Sequence, residues 1–310
     1  MRVHNSIILA WSSSFLVFLS AIAQAEPTFT VSITNPPEGN TLYLDFNTME
    51  LSQGDRTFRA AATYSGVDVT NSTSFSWELR LEWVCSGSVY REPENGPLTG
   101  TGNPFYVGNN QFVTGGTLHV LVRGTYEGYT AEDSATYQVR VQVPGRETEK
   151  NRYSDALGKD IIRAVAWQES TWHNYNSNGE PRKASGTEDS WGIMQVNRPS
   201  WETHFNNPNR APSGYYVVRW NYMAWDWTIN IHNGKYIHQT YLYYWMTDEQ
   251  KGWPETSSDI NNPNKEDLAT YGYNRGVGNM RSITRGTWNN VATWPYVISV
   301  RDHKENKPWE

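Results

Sequence analysis

Asp160-Ile161-Ile162-Arg163-Ala164-Val165-Ala166-Trp167-Gln168-Glu169-Ser170-Thr171 is an apolar run that closes on a carboxylate. Across Ser154 to Thr171, the residues Leu157, Ile161, Ile162, Ala164, Val165 and Ala166 recur at helical spacing, with Ser154 as candidate N-cap and Asp155 in the first turn. Ile162, Val165 and Ala166 share a helical face with Glu169. A carboxyl held against that face and against aromatic rings loses hydration of its charged form, which favours the protonated acid that general acid catalysis needs. A surface glutamate near a helix C-terminus fits this segment, taken alone, equally well.

Outward from this helix the pattern changes character on either side. Downstream, Trp220 to Gln239 and Lys265 to Tyr273 also read as helices, separated by Asn-, Gly- and Pro-rich loops, so this half is predominantly α. It holds 12 of the 15 tryptophans, more than a core of its size would bury, and some are expected to line a groove. Upstream, apolar and polar residues alternate in short runs: Phe29 to Ile33, Thr41 to Phe46, Phe58 to Tyr64, Phe75 to Trp83, Leu118 to Tyr126 and Thr136 to Val143. With Gly, Pro, Asn or Ser between them, these predict an all-β sandwich of about seven strands. Asp133-Ser134-Ala135-Thr136-Tyr137 resembles the tyrosine-corner segment of immunoglobulin-like domains, although the cysteine pair of those domains is missing. Val143 to Lys150 reads as a short linker, so the expected division is an Ig-like β-sandwich domain over 26–147 and an α domain over 148–310.

The 310 residues suit two folding units of roughly 100 to 200 residues each. Aromatic residues make up 14% of the chain, which excludes wholesale disorder. From 26 to 150 there are 15 acidic and 8 basic residues, and from 151 to 310 there are 17 of each, so neither half offers the basic surface that nucleic-acid binding requires. The one cysteine, Cys85, cannot form an intrachain disulfide and reads as a small buried hydrophobe. His173, His204, His232, His238 and His303 lack metal-ligand spacing, and no cofactor or metal is expected. Residues 1–25 carry Arg2, an apolar stretch from Ile7 and Ala23-Gln24-Ala25 before Glu26, the pattern of a secretory signal peptide. The apolar run is too short for a spanning helix, so the expected location is the periplasm or the exterior, with no membrane anchor.

Four motifs in order give Glu169 a context. Glu169-Ser170 is followed by Gly192-Ile193-Met194-Gln195-Val196-Asn197, then by Ala269-Thr270-Tyr271-Gly272-Tyr273-Asn274-Arg275-Gly276, then by Tyr296-Val297 after Pro295. Over roughly residues 152 to 302 this series resembles the soluble lytic transglycosylase catalytic domain, a goose-type-lysozyme-like family that cleaves peptidoglycan. The resemblance implies a lysozyme-like fold and Glu169 as catalytic acid and base. It also implies that Met194 and Gln195 line the cleft and bind substrate, that Tyr273, Asn274 and Tyr296 contact substrate or hold Glu169 in place, and that a serine approaches the substrate, with Ser185 preferred over Ser177 and Ser190. Gly272 stands where alanine is common, and Arg275 adds a charge beside the Tyr-Asn pair.

In that family one carboxyl suffices. It protonates the glycosidic oxygen of the β-1,4 bond between N-acetylmuramic acid and N-acetylglucosamine, and as carboxylate it then deprotonates the muramoyl 6-hydroxyl. The hydroxyl is tethered to the reacting sugar, so its effective concentration is high and no second carboxylate has to activate water. The expected product carries a 1,6-anhydromuramoyl end. Two readings compete: a goose-type-lysozyme-like hydrolase (lysozyme or chitinase), in which Glu188 or Asp189 positions a water, and a non-catalytic wall-binding or assembly module. Asn197 stands where the hydrolases can show an aspartate, and an amide cannot act as base. Trp191 and Trp172 are candidates for stacking on sugar rings or for core packing. Trp225, Trp227 and Tyr222 read as packing residues. The β domain is expected to bind wall polymer, recruit an envelope protein partner, or cover the cleft.

Overall fold

The computed structural model describes residues 26–185, 189–205 and 219–310. The expected signal peptide, 1–25, and Glu188 lie outside these described residues. The N-terminal part is β-rich. It comprises β1 (Phe29–Asn35), β2 (Thr41–Asp45), β3 (Thr57–Tyr64), β4 (Val67–Asp68), β5 (Ser74–Cys85), β6 (Ser88–Glu92), β7 (Leu98–Thr101), β8 (Phe105–Tyr106), β9 (Gly116–Tyr126) and β10 (Tyr129–Gln142). One sheet runs β1-β3-β4 with β8 also on β3; the other runs β2-β10-β9-β5-β6 with β7 also on β5. Pairing is antiparallel apart from β2 with β10.

Alternation along the strands decides which face is buried. On β5, Phe75, Trp77, Leu79 and Leu81 are buried while Ser74, Ser76 and Glu78 are exposed. The register sets Trp77 against Val122 and Leu79 against Val120 of β9, so buried side chains lie next to buried side chains. The two sheets meet through Phe58, whose ring lies 6.2 Å from both Trp77 and Tyr137. Tyr137 does not form the local contact of a tyrosine corner. Its hydroxyl donates to the Pro36 carbonyl at 2.8 Å, 101 residues away, and so ties β10 to the end of β1.

The C-terminal part is helical, with α1 (Arg146–Leu157), α2 (Asp160–Ser170), α3 (Arg198–Phe205), α4 (Trp220–Trp225), α5 (Trp227–Tyr236), α6 (Leu242–Tyr244), α7 (Asp248–Lys251), α8 (Lys265–Arg275), α9 (Val277–Arg281), α10 (Asn289–Ala292) and α11 (Pro295–Asn306). A two-residue hairpin, β11 (Ser190–Trp191) and β12 (Val196–Asn197), precedes α3. The single helix expected over Ser154 to Thr171 is in fact two. Gly158, at φ +74°, ends α1 and donates to the Ser154 carbonyl, so Ser154 belongs to a last turn and caps nothing at an N-terminus. The expected helix over Trp220 to Gln239 also breaks, at Asp226, whose side chain accepts from the Thr228 and Ile229 amides and starts α5.

The expected linker shrinks to Val143–Gly145, because α1 begins at Arg146. Nor do the two parts pack separately; their buried residues form one continuous core. Phe46 at the end of β2 stacks on Trp227 at 5.4 Å, and the Trp227 indole donates to the Phe46 carbonyl at 2.9 Å. Tyr153 and Tyr175 close around the same ring. Trp83 on β5 packs edge-on against Trp191 at 5.4 Å and Trp225 at 6.0 Å. Three of the helical part's twelve tryptophans, Trp191, Trp225 and Trp227, therefore go into the junction, where a helical half alone would leave them exposed.

Candidate active site

A cavity of about 620 Å³ opens where α2, the β11–β12 hairpin, α3, α8 and the segment between α5 and α6 converge. Glu169 lies on its wall, half-buried in the last turn of α2. Two features hold that helix end. Ser170 Oγ donates to the Ile193 carbonyl at 2.7 Å, joining α2 to the Gly-Ile-Met-Gln loop. Arg182 and Arg146 donate to the carbonyls of Ser170, Thr171 and Trp172, the acceptors that a helix C-terminus leaves open.

The loop itself is pinned by two buried asparagines that sequence reasoning missed. Asn174 Oδ1 accepts from the Ile193 amide and Asn230 Oδ1 from the Met194 amide, both at 2.9 Å. Gly192, at φ +78°, passes so close that a Cβ there would meet the Asn230 side chain at 2.3 Å. Gln195 follows with φ +45°, an uncommon conformation for a side-chain-bearing residue. Its Nε2 donates to the Gly192 carbonyl at 2.7 Å, and its buried Oε1 has no protein partner.

Tyr296, near the start of α11, donates its hydroxyl to Glu169 Oε1 at 2.5 Å. Tyr273 on α8 donates to the Met194 carbonyl at 2.7 Å. Burial, and after it the Glu169 charge, push both phenols well above their ordinary value, so both remain donors. Asn274 lines the wall with its Oδ1 accepting from the Trp294 indole at 3.0 Å.

Glu169, Gln195, Tyr273 and Asn274 therefore come together on one cavity wall, with Tyr296 bonded to Glu169. Two expected substrate contacts do not join them. The Met194 side chain is fully buried beneath Gly234 and does not line the cavity; the loop contributes Gln195 and Val196 instead. Ser185 is exposed and off the lining, whereas Ser190 lies on it and bonds to Asn197. Asn197 caps α3, accepting from the Ser200 amide at 3.1 Å and from Ser200 Oγ at 2.8 Å.

The expected sugar-stacking rings also move. Trp172 is buried and stacks on Trp309 at 5.5 Å, and Trp191 packs on Trp83, so neither lines the cavity. Trp201 and Tyr241 line it, their rings 4.9 Å apart. Tyr241 arrives there because Ile237–Tyr241 is a π-helical turn, whose extra residue rotates the side chains that follow. Asn197-Arg198-Pro199-Ser200, a capping pattern with proline in the first turn, was the available sequence signal for α3 and hence for Trp201.

Asp189 is not on the lining. Burial opposes its charge, but hydrogen bonds from Arg198 at 2.5 Å and from the Trp191 indole at 2.6 Å outweigh this and hold its carboxyl below the usual carboxylate range. Among the described lining residues Glu169 is the single carboxylate. Among the described residues no group of three or more His, Cys, Asp or Glu side chains converges to hold a metal ion. Cys85 is buried, and desolvation pushes its thiol up to about 11. No protein-family model matches the chain, and no curated protein matches it either.

Proposed function

We propose that the chain is a secreted peptidoglycan lytic transglycosylase, acting in the periplasm or outside the cell, with a lysozyme-like catalytic part and an Ig-like sandwich. The observation that carries this reading is the placement of Glu169. It is the one described carboxylate on the cavity wall, oriented by Tyr296 and fixed on a helix end that two arginines cap.

Glu169 donates its proton to the glycosidic oxygen as the bond from C1 of the muramoyl sugar breaks. The resulting carboxylate takes the proton of the 6-hydroxyl as O6 bonds to C1, so the acid is regenerated and no water is consumed. The Tyr296 hydroxyl stays on the carboxyl through both steps and steadies its orientation. A hydrolase would need a second group to activate water, and Asp189 has both oxygens engaged by Trp191 and Arg198.

The test is mass spectrometry of fragments released from purified peptidoglycan by the full chain and by Glu169→Gln. Anhydro ends that vanish in the variant are expected. Reducing ends would make the protein a hydrolase, and no release from either would favour a wall-binding module.

A further inference from the structure

Arg275 is the last residue of α8, and it lines the cavity that holds Glu169. It is the single cation among the described lining residues. A basic residue in the last helical turn is favoured by the helix dipole wherever it points, so position alone says little. The surroundings of this one say more. Its guanidinium lies over the Trp294 ring at 4.7 Å, and that ring is itself fixed by Asn274 at 3.0 Å and by Tyr271 edge-on at 6.0 Å. Its carbonyl accepts from Asn279 at 2.7 Å, which holds the backbone.

Nine of the sixteen described arginines pair with a carboxylate, among them Arg146 with Glu149, Arg198 with Asp189 and Arg301 with Asp267. Among the described residues no carboxylate pairs with Arg275, and the residue is exposed. A guanidinium held over an indole can still present its N–H fork, which matches the two oxygens of a carboxylate. The fork is thus placed on the lining of the cavity with no carboxylate paired to it among the described residues.

We infer that Arg275 selects glycan strands whose sugars carry a carboxylate-bearing peptide substituent over strands that are bare or neutral. This inference rests on the proposed glycan-cleaving role and adds to it which form of the polymer is read.

The experiment measures binding to the full chain carrying Glu169→Gln, so that ligand is not consumed. The probes are a muramoyl-peptide oligosaccharide with free peptide carboxylates and the same compound with those carboxylates amidated. The free acid is expected to bind about fivefold tighter, with the gap narrowing at high salt. Adding Arg275→Gln removes the gap, and Arg275→Lys restores part of it. Arg281→Gln serves as the control, since Arg281 also lies on a tryptophan, Trp245 at 5.7 Å, but does not line the cavity. It should leave the gap intact. Equal binding of the two probes, a gap that survives Arg275→Gln, an equal loss in Arg281→Gln, or no binding of the free acid would each overturn the inference. An Arg275-dependent gap in a protein whose unmodified form releases no fragments would instead keep it and remove the catalytic reading.

Discussion

The Tyr90 hydroxyl on β6 donates to the Glu202 carboxylate on α3 at 2.6 Å, across the junction of the two parts. Arg198 joins the same cluster, reaching Glu202 at 3.1 Å, Asp189 at 2.5 Å and Ser88 at 3.4 Å. The helix held in this way carries Ser200 and Trp201 into the cavity. The β-rich part thus braces one wall of the site from behind. It contributes no described residue to the lining, so an arrangement in which it covers the cleft has no support in the geometry.

A bracing role predicts that the helical part does not stand alone. A 148–310 fragment would expose Trp225, Trp227, Tyr153 and Tyr175, all buried at the junction. It should aggregate or lose cooperative unfolding, where an occluding β domain would instead leave a more active fragment. In the full chain, Phe46→Ala should cost about 3–5 kcal/mol through the cavity left beside Trp227. Denaturant unfolding with a single transition monitored by tryptophan fluorescence measures it. A stable, fully active fragment would sink the idea.

Asp189 provides a test that separates support from chemistry. Asp189→Asn removes one of the two carboxylates on Arg198, whose side chain is 15% exposed, and leaves Glu202 at 3.1 Å as its remaining partner. Destabilisation of about 1–2 kcal/mol is expected from the lost charged hydrogen bond. The chemical nature of the released ends should stay the same, because the carboxylate does not reach the cavity. If the variant kept its stability but changed the ratio of anhydro to reducing ends, Asp189 would belong to the mechanism.

For Tyr296→Phe the expectation is kinetic. The ring and its packing persist, but Glu169 loses the donor that sets its orientation. A fall in kcat of about tenfold to a hundredfold with little change in KM is expected. Unchanged circular dichroism would show that the fold is intact. A variant with normal kcat would mean that packing alone orients the acid.

The legible parts of this sequence were those where a local pattern carries the physics. Alternation located β1, β2, β3, β5, β9 and the second half of β10 but not β6 or β7, and Glu169 stood out because a carboxylate closes an apolar helical face. The two-residue strands β4 and β8 are too short to show a period. Met194 and Gln195 could not be told apart, since which of two neighbours faces a cavity depends on the φ of +45° at Gln195 and on the asparagines that grip the loop. The role of Tyr241 depends on one extra residue in a π-helical turn, and that of Trp83 on a surface supplied by the other half of the chain. In each of these cases long-range packing decides, and it leaves no periodic trace.

His238 gives a pH-dependent test of the same packing. It is fully buried beside the Tyr273 ring at 6.1 Å, with Nε2 bonded to Thr270 at 3.0 Å. Desolvation, followed by the Lys159 charge, lowers it from the usual 6.5 to about 3. The unfolded chain therefore takes up the proton first as pH falls below 6.5, and the folded chain not until about pH 3. Stability associated with the neutral ring is present above pH 6.5 and declines progressively below it, by about 3 kcal/mol at pH 4. Denaturant unfolding at pH 7 and at pH 4 should show this decline, and His238→Gln, which keeps a partner for Thr270, should remove that share of it. His173, lowered to about 4 chiefly by burial, adds a smaller decline of the same sign. An unchanged pH dependence in His238→Gln would mean that the ring is hydrated in solution and that the core beneath Tyr273 is looser than its geometry implies.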